Sequence, residues 1–176
     1  MENSLKSNAT NYGLYLGAAL SIATIIAYAV DLSLYTAWWY GIGLMSLVII
    51  IGILSTVKSK SLQDGFITFK EAFTSYFITI ALGLAISSVV SIVIYNFIDP
   101  EAAITIKDLM LDSQVEMMRN FNAPEESIAE VVAQFEEQEN IFSIGNVIQS
   151  MVFQLIGFSV IGLIVALVMK RKLENA

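Results

Sequence analysis

Asn146, Ser150 and Gln154 recur at every fourth position in the last apolar stretch of the chain, with Gln149 beside them, and Ser87, Ser88, Ser91 and Asn96 crowd the end of the third. Spacing of four keeps residues on one side of a helix. Hydroxyls and amides donate and accept hydrogen bonds, but they hold no charge and supply no base. Ser87, Ser88, Ser91, Asn146, Gln149, Ser150 and Gln154 therefore form a candidate polar cluster suited to hydrogen-bonded helix packing, or to recognition of a neutral ligand or permeant. Because a polar group in hydrocarbon has to find a partner, the two stripes are expected to face each other or a shared cavity.

A second row carries charge. Asp108, Asp112 and Glu116 also fall four apart, with Arg119 on the same side. Calcium takes six to eight oxygens from a bent, glycine-containing loop, so a helical row of carboxylates predicts a solvated face rather than a metal site. The chain has no cysteine and no histidine. That removes disulfides, thiolate or imidazole metal sites, Cys/His catalytic pairs and histidine proton relays. The serines have no base within the same stretches, so neither an enzyme nor a cofactor is expected. A formal net charge of −7 argues against nucleic acid as a partner.

Four apolar stretches, 12–30, 37–57, 69–98 and 144–169, must position these residues. Lys70 and Glu71, at the edge of the third, are their only charged residues. A run of about 18 or more apolar residues is long enough to cross the roughly 30 Å hydrocarbon layer as a helix. With 56% apolar residues and a mean hydropathy of +0.71, the chain has too little polar surface for a water-soluble globule of this size. The expected fold is an all-α polytopic membrane protein, a single membrane domain over 1–176 with four transmembrane helices. An extracytoplasmic helical hairpin lies in the acidic insert 99–142, between helices three and four.

Orientation follows from the basic residues. Lys6, Lys58, Lys60, Lys70, Lys170, Arg171 and Lys172 share one side, whereas the insert sets eleven acidic residues against Lys107 and Arg119. Cationic flanks stay in the cytoplasm, so both termini are expected inside and the insert outside. Trp38, Trp39 and Tyr40 suit a headgroup-level belt. Ala27-Tyr28-Ala29 imitates a signal-peptide cleavage pattern, but the first stretch is as long as a full crossing and Glu2 offsets its basic flank.

Small residues mark close helix approach: Gly13, Gly17 and Ser21 on the first span, Gly83, Ser87 and Ser91 on the third, and Gly162 and Ala166 on the fourth. Thr68 and Glu71 have the spacing of a capping box that starts the third helix, and Gly65 permits the turn before it. In the insert, 102–121 reads as one helix. Pro124 reads as the first position of another, whose apolar residues Ile128, Val131, Val132 and Phe135 follow at helical spacing. Pro100 and Pro124 are the only prolines and lie in the insert, so the spans lack the broken helix pair that marks many transporter sites.

The passage Asp64-Gly-Phe-Ile-Thr-Phe-Lys-Glu-Ala-Phe73 entering the third span, and Tyr95-Asn-Phe-Ile-Asp-Pro100 leaving it, resemble an uncharacterised four-helix membrane family, a domain of unknown function common in Bacteroidetes. The resemblance covers nearly the whole chain. It implies a bacterial inner membrane with the insert in the periplasm, and it implies no activity, substrate or catalytic residue. Two functions stay open. The expected one is a non-enzymatic scaffold or accessory subunit engaging another membrane or periplasmic protein, favoured by the missing chemistry and by an insert too large to be a mere connection. The other is a small oligomeric permeation or ligand-binding unit built on the polar outer half of the fourth span. A cavity lined by that cluster favours the second, and the sequence leaves the oligomeric state open.

Overall fold

The computed structural model describes residues 2–138 and 140–171. Lys172 of the basic flank and Glu139 of the acidic insert lie outside the described residues. The chain runs through α1 (Glu2–Val30), a short 3-10 turn (Leu32–Tyr35), α2 (Trp38–Ser61) and α3 (Phe69–Val93), which continues through a π turn (Ile94–Ile98). The insert forms α4 (Pro100–Asn120) and α5 (Glu125–Glu137), and α6 (Ile144–Met169) follows. Among the described residues the fold is all-α, without strands. Four helices, Ser4–Val30, Trp38–Ser61, Phe69–Ile98 and Ile144–Met169, are long and apolar enough to cross a membrane. At about 1.5 Å per residue even the shortest spans the hydrocarbon layer. The protein is a multi-pass membrane protein.

Helix α1 starts well before residue 12. Its first turns are polar outward, but Leu5 and Ala9 are buried with Leu16 and Leu20, and they lie along the first turns of α3, where the Ala9 carbonyl accepts from the Thr79 hydroxyl. Helix α3 is the hub, packed against α1, α2 and α6. Lipid is as apolar as the side chains, so close packing and hydrogen bonds must hold the helices together. The α1–α3 seam supplies the packing. Leu82 and Ile86 seat against Gly13 and Gly17, while Leu16 seats against Gly83, where an added Cβ would come within 2.6 Å of it. Ser21 is buried on the same helix. Gly162 packs on Tyr76, and Ala166 is fully buried beside Ile67 and Ala72.

Hydrogen bonds supply the rest at the end of the bundle where α1 begins and α6 ends. Asn8 donates to Ser59 Oγ at 2.9 Å and to the Ser55 carbonyl at 3.1 Å. Ser59 and Ser75 share a hydrogen bond of 2.7 Å, and Thr79 Oγ1 donates to Ser55 Oγ, also at 2.7 Å. These hydroxyls are buried and satisfied, and they tie α1, α2 and α3 into one layer.

Thr68 caps α3 as its spacing predicts, with Glu71 closing the reciprocal bond. Before it, Gly65 takes φ +85° and Asp64 φ 52°, a left-handed pair that reverses the chain between α2 and α3. Arg171 and Ile67 exchange backbone hydrogen bonds of 2.9 and 3.0 Å, fastening the end of α6 to that turn. In the insert it is Pro100 that sits in the first turn of α4, behind the Asp99 cap. Pro124 stands one residue earlier than expected, at the cap position of α5, and its carbonyl accepts from the Ile128 amide.

Candidate functional site: a polar cleft between α3 and α6

The insert is anchored on the bundle by an aromatic and amide cluster. Tyr95 is fully buried at the π turn, stacked on Phe142 at 4.2 Å between ring centroids, and its hydroxyl meets that of Tyr35 at 2.8 Å. Burial pushes the Tyr35 phenol above its ordinary range, an effect partly opposed by hydrogen bonds with Tyr95 and Thr24. Tyr28 donates to Asp99 Oδ2 at 3.1 Å, and Asp99 Oδ1 caps α4 through the Ala102 amide at 3.0 Å. The π turn makes this possible. One extra residue in the turn lets the Asp99 amide reach the Ile94 carbonyl at 2.8 Å and swings the carboxylate toward α4.

Three asparagines complete the anchor. Asn96 donates to the Phe142 carbonyl at 2.8 Å, Asn140 to Asn96 Oδ1 at 3.2 Å, and Asn146 to the Asn140 carbonyl at 3.0 Å. Their partners are protein groups, so Asn146 and Asn96 serve the junction and do not line a cavity.

Below this junction α3 and α6 enclose a cavity of about 360 Å³. Ser87, Ser88 and Ser91 of α3 and Ser150 and Gln154 of α6 line it, with Leu84 and Val147 as apolar wall and Met110, Ile141 and Phe142 at the insert end. Five of the seven residues of the predicted cluster thus meet. Gln149 is exposed and stands apart from the cavity, as does Asn146. Ser150 and Gln154 are exposed, which places them at the side open toward lipid. Among the described residues, none of the five lining side chains has a hydrogen-bond partner, whereas the Ser55–Ser59–Ser75–Thr79 layer is fully bonded. Among the described residues no ionisable side chain lines the cleft.

The row Gly83, Ser87, Ser91 divides its work. A spacing of four drifts around a helix by about 40° per step. Gly83 accordingly meets α1, while Ser87 and Ser91 face the cavity. The carboxylates Asp108, Asp112 and Glu116 are exposed on α4, away from the cleft.

The bonded hydroxyl layer and Gly52 were not among the sequence candidates. Both left a trace there. Ser55 and Ser59, like Ser75 and Thr79, lie four apart, and Gly52 stands alone in a run of isoleucines. The Tyr28–Asp99 and Tyr35–Tyr95 pairs join residues far apart in sequence and left no such trace.

Fold and cleft together define a four-span membrane protein with a helical insert roofing a polar recess at membrane depth. Residues 11–171 match the family described as protein of unknown function (DUF4199), and the chain belongs to that family. No curated protein and no solved structure matches it.

Proposed function

We propose that the protein is a non-enzymatic binding protein of a bacterial inner membrane, with both termini cytoplasmic, whose α3–α6 cleft holds the head of a neutral amphiphile drawn from the outer leaflet. The observation that carries this reading is the convergence of Ser87, Ser88, Ser91, Ser150 and Gln154 on one cavity without protein partners. Unmet hydrogen bonds at membrane depth are costly, and a head bearing hydroxyl or amide groups would satisfy them. A phosphate would find no counter-charge there, which selects against charged heads. The cavity lies at the lower end of the size range of small-molecule sites, and its apolar walls suit the first carbons of a chain.

Orientation rests on six described basic residues at the end where α1 begins and α6 ends, Lys6, Lys58, Lys60, Lys70, Lys170 and Arg171, against Lys107 and Arg119 in the insert. Binding is favoured over permeation because Tyr76, wedged between Gly52 and Gly162, fills the bundle between the cleft and its far end. A scaffold role has less support. The outward face of α6, with Phe153, Ile156, Val160 and Ile164 exposed, suits lipid as well as a partner.

The test is native mass spectrometry of the detergent-purified protein with added dioctanoylglycerol. Wild type should retain the lipid, and a Ser87→Ala, Ser91→Ala, Gln154→Leu variant should lose it. Equal retention by both, or retention by neither, overturns the reading.

A further inference from the structure

Helix α4 leaves the third span through the π turn, with Asp99 as its cap and Pro100 in its first turn, so it starts at the surface of the membrane. Ala102, Ala103 and Ile106 are buried with Ile94 and Tyr95 at the end of the bundle, and Met110 packs on the same cluster while roofing the α3–α6 cleft. A helix standing upright would leave the bundle after one turn, whereas these residues cover about 12 Å of the α4 axis. The helix therefore lies across the bundle end, along the membrane plane. Met117 and Phe121 continue the same face, since Met117 follows Met110 by about two turns and Phe121 follows Ala103 by about five. Yet Met117 is 53% exposed and Phe121 79%, and α5, packed against α4, leaves both uncovered. We propose that this overhanging underside rests on the lipid leaflet at that end of the bundle, with Met117 and Phe121 entering the boundary between headgroups and acyl chains.

Three observations point to lipid as the occupant. The first is level. Trp38 and Trp39 at the start of α2 and Phe97 in the π turn are exposed, and aromatic rings gather at headgroup depth. The 3-10 turn before α2 and the π turn are the segments on which α4 lies, which sets the helix at that same depth. The second is sidedness. Asp108 and Asp112 are exposed on the reverse of the helix, about half a turn from Met110 and Met117, so their charges stand in water while the apolar side faces the membrane. An amphipathic helix lying in the interface has this arrangement. The third is reach. From Met110 to Phe121 the helix advances about 16 Å, more than one helix-to-helix spacing, which carries its far end beyond the spans and over lipid.

The chain has no cysteine, so a single introduced thiol gives a unique labelling site. The full chain carrying Met117→Cys, Phe121→Cys, Asp112→Cys or Ile104→Cys is labelled with a nitroxide and reconstituted in phosphatidylcholine vesicles. Each label is read by its accessibility to oxygen, which concentrates in hydrocarbon, and to a water-soluble nickel chelate. The ratio of oxygen to nickel accessibility at Met117 and Phe121 should exceed that at Asp112 severalfold. Ile104 is as exposed as Met117, at 52%, but on a different face of α4, and its label should behave like that at Asp112. All four side chains are exposed, so labelling removes no packing. Nickel accessibility at Met117 and Phe121 equal to that at Asp112 would put the underside in water and overturn the proposal. Shelter from both reagents would put a protein surface there, such as a second copy of the chain, and overturns it equally. Oxygen-rich labels at all four positions also overturn it, because the contact would then have no face. None of these side chains lines the α3–α6 cleft, so the result stands apart from retention of dioctanoylglycerol.

Discussion

Gly162 of α6 lies against the Cδ1–Cε1 edge of the Tyr76 ring in α3, so close that a Cβ in its place would sit 2.6 Å from Tyr76 Cδ1. At the opposite edge of the same ring Gly52 of α2 stands equally close to Cε2. One buried aromatic therefore sets the spacing of three helices. Gly162→Ala and Gly52→Ala should each cost about 1–3 kcal/mol through overpacking. Thermal unfolding in detergent measures this. Combining Gly162→Ala with Tyr76→Leu should lose less than the sum of the single changes, because the ring is the atom group displaced.

The same measurement separates contact glycines from idle ones. Gly83→Ala drives a Cβ into Leu16 and should destabilise the α1–α3 seam by an amount similar to Gly162→Ala. Gly157, with nothing within 4 Å of its added Cβ, faces away from the packed seams. There alanine should be neutral or stabilise by up to about 1 kcal/mol, since it restricts the unfolded chain and suits a helix. Equal losses at both positions would contradict the packing described.

Hydroxyls divide in the same way between structure and binding. Thr79 Oγ1 lies 3.1 Å from the Ala9 carbonyl and 2.7 Å from Ser55 Oγ, so Thr79→Val keeps the shape and removes the donor. A loss of about 0.5–2 kcal/mol is expected, the range for hydrogen bonds between membrane helices.

In the α3–α6 cleft, by contrast, Ser91→Ala and Gln154→Leu remove groups that no protein atom satisfies. Unfolding of the ligand-free protein should be unchanged or slightly harder, while retention of dioctanoylglycerol falls. A stability loss as large as that of Thr79→Val would make the cleft a packing interface.

Asp31 gives a pH dependence with a defined sign. Its carboxylate caps the 3-10 turn, accepting from the Ser33 amide at 2.9 Å, and hydrogen bonds with Ser33 hold its pKa below the ordinary 3.8. A depressed folded-state pKa means the native state binds fewer protons than the unfolded chain. The stabilisation is present above the ordinary value and fades as pH falls through the depressed one. Asp31→Asn keeps an acceptor but cannot titrate. The gap in melting temperature between wild type and Asp31→Asn should therefore narrow or reverse below pH 3.8 relative to pH 6.

Sequence alone determined the solvent and the elements. Continuous apolar runs admit only one low-energy state in lipid, a helix with its backbone satisfied internally, and the Thr68–Glu71 cap and the Asp64–Gly65 turn are local enough to be read from neighbouring residues. The four-residue spacing of Ser150 and Gln154 likewise put them on one side of α6 before any partner was known. What tertiary structure decided was which rows meet. Gly83 turned to Leu16 while Ser87 turned to the cleft, Asn146 went to Asn140, and Gln149 was left outside, because rotation and tilt of each helix are fixed by packing against α3. The π turn that brings Asp99 to Tyr28, and the hydroxyl layer joining Asn8 to Ser59, depend on contacts between distant segments. Periodicity within one segment carries no record of its neighbour's register.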